Sequence, residues 1–201
     1  MTTQSGPGNL IALEGCGGRS MAVAIRQIER RMRRDDFAVG VSGWDASAIF
    51  FQIGRGPQPS PGLSPRTLLL LYASDLAFRL RWQILPAIEE GATVVAAPYL
   101  ETPMAFGLSA GLPREWLDAL FRFAPRPGSC YRVPNRTIPI DRRGTPTDSF
   151  LELCFAQLRN HGGWPVEAIR NGFEDHFDAM EAAGRCHPAG ELTASRLAAA
   201  R

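Results

Sequence analysis

Leu10-Ile-Ala-Leu-Glu14 is a short apolar run with no polar alternation. That is the pattern of a strand covered on both faces, as in a parallel sheet. Gly15-Cys-Gly-Gly18 follows as a tight loop, and Ser20 opens a helix to about Arg34. Met21, Ile25, Ile28 and Met32 form the helix's apolar stripe, and its arginines lie opposite. Phe37–Ser42 is a second strand of the buried type. Strand, glycine loop, helix and strand make a βαβ unit, so the pattern predicts a layered α/β fold.

Gly54–Pro65 carries prolines at 57, 59, 61 and 65 and reads as a loop. Ser64 then caps a long helix with Pro65 at its first position. The helix runs to about Glu90 and is apolar nearly all round, which predicts a central position. Pro86 should kink it and Gly91 stops it. Thr93–Ala97 is a third buried strand, Pro113 starts a helix over Arg114–Phe123, and Ser129–Val133 is a fourth strand. Asn135–Asp148 reads as a loop. Ser149-Phe-Leu-Glu152 matches a capping box that opens a helix to about Asn160. Trp164-Pro165 opens another, with Val166, Ile169, Phe173, Phe177 and Met180 facing inward. Arg185–Arg201 reads as a weakly structured tail or a short Ala-rich helix.

With 201 residues, 45% apolar and 21% charged, the composition suits a single domain over 1–201. No apolar run reaches the ~18 residues of a membrane span, and Met1–Asn9 has no leader pattern. A cytoplasmic protein with no membrane insertion is expected. A net charge of +2 argues against a dedicated nucleic-acid binder. The one basic cluster, Arg26, Arg30, Arg31, Arg33 and Arg34, reads as a solvated helix face. All 22 basic residues are arginine, so no lysine ammonium is available to any mechanism. Cys16, Cys130, Cys154 and Cys186 are expected to be reduced and buried. Together with His161, His176 and His187 they show no metal-ligand spacing, so no metal site is predicted.

The first βα turn places Gly15, Gly17, Gly18 and Ser20 where free backbone N–H groups and a helix dipole can receive an anion. The alternative is a plain strand-to-helix turn whose glycines supply positive φ.

Several separate pieces resemble thymidylate kinase, a P-loop nucleoside-monophosphate kinase. Leu10–Gly15 is similar to the family's first strand, and Ser64–Asp75 to the opening of its long nucleotide-pocket helix. Ile84–Gly91 resembles the end of that helix, and Thr93–Tyr99 the strand leading into an Asp-Arg-Tyr motif. Ala105-Phe106, Gly111-Leu112, Trp116-Leu117 and Leu120–Ala124 resemble the helices that follow. Order and spacing agree over about 10–127, and beyond Pro127 the match fades. The resemblance implies a P-loop NTPase-like three-layer α/β/α fold with a parallel sheet of about four or five strands.

The departures fall where the chemistry should be. The family's loop follows G-x-x-x-x-G-K-[ST], and Gly15-Cys-Gly-Gly-Arg19-Ser20 is two residues shorter. Two extended residues span at most ~7 Å, comparable to the phosphate such a loop encircles. Arg19 stands at the lysine position, with a planar and bulkier head. The Asp-Arg-Tyr motif reads Ala97-Pro98-Tyr99, so the acid that would help hold Mg²⁺ and the arginine that would meet phosphate are both replaced. Ser42-Gly43-Trp44 stands where the family has Arg-Glu-Pro, and Asp75-Leu76 where it has Asp-Arg. Each lost electrostatic partner costs about 10²–10³ in rate, and even a partly compensated triple loss lowers it by roughly 10⁴.

The expectation is therefore a degenerate thymidylate-kinase-like protein, a binding or assembly module with at most weak nucleotide or anion affinity. Its phosphate contacts would be Gly15, Gly17, Gly18, Arg19 and Ser20, with Arg19 the one weak catalytic candidate. Its acceptor-nucleotide pocket would use Asp75, Arg79, Tyr99, Glu101 and Phe106. Arg136, Arg142 and Arg143 lie where a family lid would, and they or Arg79 would be the cations left to meet a phosphate. Two alternatives stand beside it. One is a working kinase that takes Mg²⁺ and ATP and uses Arg19. The other is a subunit of a larger complex with an empty pocket. The long helix Thr67–Ile88 resembles the family's homodimer element, so a homodimer is the partner expected first.

Overall fold

The computed structural model describes residues 8–15, 19–34, 39–54, 62–133 and 149–191. The apolar runs become parallel strands: β1 (Asn9–Gly15), β2 (Val39–Gly43), β3 (Thr93–Ala97) and β4 (Ser129–Val133), with a two-residue β5 (His187–Pro188). Their order across the sheet is β2-β3-β1-β4-β5, all parallel. Register is set by pairs such as Ala12 with Ala96, Gly43 with Ala97 and Glu14 with Arg132.

Side-chain alternation along β1 splits the interior in two. Ile11 and Leu13 face α1 (Arg19–Arg34) and pack on Met21, Ile28 and Met32. Leu10 and Ala12 face the other layer, formed by α2 (Ile49–Gly54), α3 (Pro65–Arg79), α5 (Glu101–Ser109), α6 (Arg114–Phe121), α7 (Phe150–His161) and α8 (Val166–Ala182). Helices therefore cover both faces of the sheet, the α/β architecture of P-loop NTPases.

Local signals behave as their chemistry requires. The Ser64 side chain accepts from Thr67 N at 3.2 Å, with Pro65 at the first helical position of α3. The Ser149 side chain accepts from Glu152 N at 3.4 Å and starts α7. Pro86 has no N–H for the helical ladder, and the chain absorbs this in a π turn (Leu80–Ile84) before α4 (Leu85–Glu89). There the Leu85 N–H reaches back to Leu80 O.

Three sequence expectations are corrected. The long helix is not enclosed: Trp82 is 62% exposed, and Leu70, Phe78 and Leu85 are exposed on the same outer side. Its apolar residues exceed what one buried face can take. Cys130 and Cys186 are not free thiols but a disulfide joining β4 to the approach to β5. Cys154 is buried and free, and burial pushes its thiol well above the ordinary range. Part of the expected tail is ordered, because β5 pairs with Tyr131 and Arg132 before a 3₁₀ turn (Ala189–Glu191). The whole Asn135–Asp148 loop lies outside the described residues.

Candidate functional site

In an open parallel sheet, ligands bind beyond the carboxyl ends of the strands where the strand order reverses. Here β1 has β3 on one side and β4 on the other, so that point lies past Gly15 and Ala97. Glu14 is fully buried there. Its carboxylate accepts from the backbone N–H groups of Tyr99 (3.2 Å), Leu100 (2.7 Å), Glu101 (3.0 Å) and Thr102 (3.0 Å), and from the Thr102 hydroxyl at 2.6 Å. Gly15 N in turn donates to Thr102 Oγ1 at 3.0 Å, with Gly15 at φ 105°. The chain's own carboxylate thus fills the anion-accepting start of α5. Burial pushes the Glu14 carboxyl above its ordinary value, opposed first by the Thr102 hydroxyl and then by the backbone donors.

A second cluster lies under the β2–α2 loop. Asp75, Arg79 and Gln83 are spaced four apart and share one side of the long helix. Asp75 accepts from Asp45 N (2.9 Å), Ser47 N (2.8 Å) and Ser47 Oγ (2.7 Å). Arg79 donates to Ser42 Oγ (3.0 Å), Ser42 O (2.6 Å) and Pro98 O (2.9 Å). Ser42 Oγ donates to Gln83 Oε1 at 2.8 Å. Asp75 and Arg79 both have no exposed surface. Asp45 in turn accepts from Phe50 N and Phe51 N, both at 2.7 Å, and so caps α2. Burial raises the Asp45 pKa, and the negative charge of Asp75 adds to the rise. The loop holds Asp45 (φ 57°) and Ala48 (φ 61°) in the left-handed region. That conformation costs roughly 1–2 kcal/mol per residue, and the Asp75 contacts hold it.

Aromatic rings complete the site. Phe150 lies 4.6 Å from Tyr72, 5.9 Å from Phe50, 6.0 Å from Trp44 and 6.1 Å from Phe106, centroid to centroid. Phe50, Tyr72 and Phe106 are wholly buried. Tyr72 Oη donates to Tyr99 O (2.6 Å) and Pro98 O (2.9 Å), and Tyr99 Oη to Pro125 O (2.7 Å). Burial raises both phenol pKa values far above the usual tyrosine range.

Of the residues expected from the sequence to form an acceptor pocket, Asp75, Arg79 and Tyr99 meet groups at these strand ends. Asp75, Arg79, Tyr99 and Phe106 are fully buried with internal partners, and Arg79 is bound to Ser42 and Pro98 rather than standing free for a phosphate. Glu101 is partly exposed at the start of α5, 3.6 Å from His176 Nε2. Gly17, Gly18, the side chains of Arg19 and Ser20, and Arg136, Arg142 and Arg143 lie outside the described residues. Sequence reasoning passed over Glu14, Thr102, Ser42, Asp45, Ser47 and Gln83. The available signals were a lone acid ending an apolar strand and polar residues four apart in an apolar helix.

Similarity to known proteins points the same way. Over 129 residues the chain is 40% identical to a probable thymidylate kinase of Thermococcus gammatolerans, covering 60% of this chain and 62% of that protein. Over 130 residues it is 30% identical to a probable thymidylate kinase 2 of Saccharolobus solfataricus, covering 63% and 59%. A thymidylate kinase of a Synechococcus strain is 26% identical over 195 residues, covering 87% and 85%. The chain is similar in sequence to thymidylate kinases. No family model matches it, and the chain matches less than two thirds of either archaeal protein's length.

Set against the thymidylate kinases, the end of β3 offers a methyl group at Ala97 and a pyrrolidine ring at Pro98, neither of which can bind a cation or a phosphate. Glu14 on the neighbouring β1 has both oxygens engaged by donors. Among the described residues no three His, Cys, Asp or Glu side chains converge to hold a metal ion. A thymidylate kinase's Mg²⁺ therefore does not fit the described part of this site. Nor is any helix of the described residues long and apolar enough to cross a membrane.

Proposed function

We propose that this thymidylate-kinase-like chain has given up efficient phosphoryl transfer and acts as a binding or assembly module with at most weak affinity for nucleotides or anions. One observation carries the reading: the polar groups that would meet an acceptor, Asp75 and Arg79, are fully buried and engaged by the chain's own loop and strand ends. Phosphoryl transfer depends on positioning and charge neutralisation. A cation that already holds two backbone carbonyls and a hydroxyl supplies neither without breaking the fold around it. The shortened glycine loop and the Ala97-Pro98 replacement support the same reading from the sequence.

Assembly with a second copy is the other half of the proposal. Leu70, Phe78, Trp82 and Leu85 leave an exposed apolar stripe on the long helix, with Phe123 beside it. A groove of about 500 Å³ runs along it, lined in part by Leu80, Arg81, Trp82, Leu85 and Glu89. Exposed patches of this kind mark interfaces. Arg81 and Glu89 lie four residues either side of Leu85, so a two-fold axis there sets each arginine opposite the partner's glutamate.

The decisive assay is ATP consumption with deoxythymidine monophosphate and Mg²⁺. The reading expects a rate roughly 10⁴ below the 1–100 s⁻¹ of working kinases. Turnover near 1 s⁻¹ establishes the working-kinase alternative with Arg19 instead. Light scattering on the purified chain should give twice the mass of a 22.0 kDa monomer. A monomer that co-purifies with a larger partner moves the reading to the complex subunit.

A further inference from the structure

We propose that Phe150 is a built-in ligand: its phenyl ring fills a slot that takes a free, uncharged, planar aromatic ring whenever Phe150 is shortened. Phe150 is the first residue of α7, delivered to the site by a helix end just after the Ser149 cap. Its ring meets rings from four other elements: Trp44 of the β2–α2 loop, Phe50 of α2, Tyr72 of α3 and Phe106 of α5. Most contacts are tilted or edge-on, at 53° to 80° between planes for the rings around Phe150 and for Trp44 on Phe50. That is the geometry aromatic pairs prefer.

Three of the four walls are fixed without α7; the fourth, Phe106, also meets Phe155 of α7 at 6.3 Å. Asp75 holds the loop that carries Trp44, through Asp45 and Ser47. Asp45 caps the helix that carries Phe50. Tyr72 is tied through its hydroxyl to the carbonyls of Pro98 and Tyr99. Those three walls keep their polar anchors when the central ring is removed, so the space does not collapse freely. A core phenylalanine whose neighbours are held only by contact with it would leave no such slot. Here the Phe150 side chain is a benzyl group, so its removal leaves a dry void of benzene's own shape. Apolar cavities of that kind bind benzene. In the intact chain, docking of α7 keeps free rings out.

The inference rests on the proposed function only in treating this pocket as an acceptor site, and the test separates the two. Phe150→Ala is melted with and without saturating benzene, alongside the wild-type chain. The proposal expects the variant to melt lower than wild type and to regain about 3 °C or more with benzene, while wild type does not move. A folded Phe150→Ala chain that benzene leaves unchanged overturns it, as does an equal rise in wild type. If the variant does not fold unaided, it is refolded in benzene-saturated buffer: recovery of helical circular dichroism supports the slot, and failure to recover overturns it. Phe150→Leu, which leaves no ring-sized void, should fold and show no benzene response; a response equal to that of Phe150→Ala also overturns the proposal. Kinase turnover by the wild-type chain would sink the proposed function and leave these outcomes untouched.

Discussion

Replacing Asp75 by alanine should unlock the β2–α2 loop, and the size of the effect follows from its contacts. Three donors lose one carboxylate: Asp45 N, Ser47 N and Ser47 Oγ, at 2.7 to 2.9 Å. Hydrogen bonds to charged groups are each worth about 1.5–3 kcal/mol. Removing the carboxylate also removes its own burial penalty, several kcal/mol for a charge with no exposed surface. The net expectation is a loss of about 3 kcal/mol, or about 6–12 °C in Tm for a chain of this size. The assay is urea unfolding followed by circular dichroism, run as a double-mutant cycle with Ser47→Ala. Alone, Ser47→Ala removes the hydroxyl bond to the carboxylate and costs about 1.5–3 kcal/mol; on the Asp75→Ala background it should cost almost nothing, giving a coupling of the same size. A loss below about 1 kcal/mol for Asp75→Ala, or a Ser47→Ala cost that is the same in both backgrounds, refutes the idea that Asp75 is spent on the loop.

Other consequences are equally open to measurement. Absorbance titration should show Tyr72 and Tyr99 staying neutral until the chain unfolds, since burial raises both phenols. A folded-state pKa above the unfolded value means that this contribution to stability is complete below about pH 10 and is lost as pH climbs beyond it. Two phenols ionising reversibly near pH 10 with the fold intact would contradict this. The Cys130–Cys186 bridge closes a loop over a separation of 56 residues, so reduction should cost up to about 4 kcal/mol by loop entropy; the unreduced, denatured chain should titrate as two thiols rather than four. Leu85→Asp puts a charge on the proposed two-fold axis and should halve the solution mass, and an unchanged dimer would place the interface elsewhere.

What was legible in the sequence was what neighbours decide. Ser64 with Thr67 and Ser149 with Glu152 are contacts three residues apart, and each marked a helix start. The unbroken apolar runs at Leu10 and Thr93 announced buried parallel strands because no face of them needs water. The site was legible only in part. Asp75, Arg79, Tyr99 and Phe106 were singled out through resemblance, but the partners of Asp75 and Arg79 lie 19 to 37 residues away, and no local pattern encodes them. The lone acid Glu14 reaches Thr102 across 88 positions. β5 has two residues, too few for any periodicity, and its place follows from its pairing with β4 next to the disulfide. The long helix misled because an apolar residue on an outer face reads the same as one in the core.

The proposed function requires that the groups expected to meet an acceptor be held by the chain itself. Titration calorimetry of deoxythymidine monophosphate into the wild-type chain, with and without Mg²⁺, tests it most directly. The account predicts a Kd weaker than about 1 mM, equivalent to less than about 4 kcal/mol of binding. A saturable one-to-one heat with micromolar Kd would contradict it.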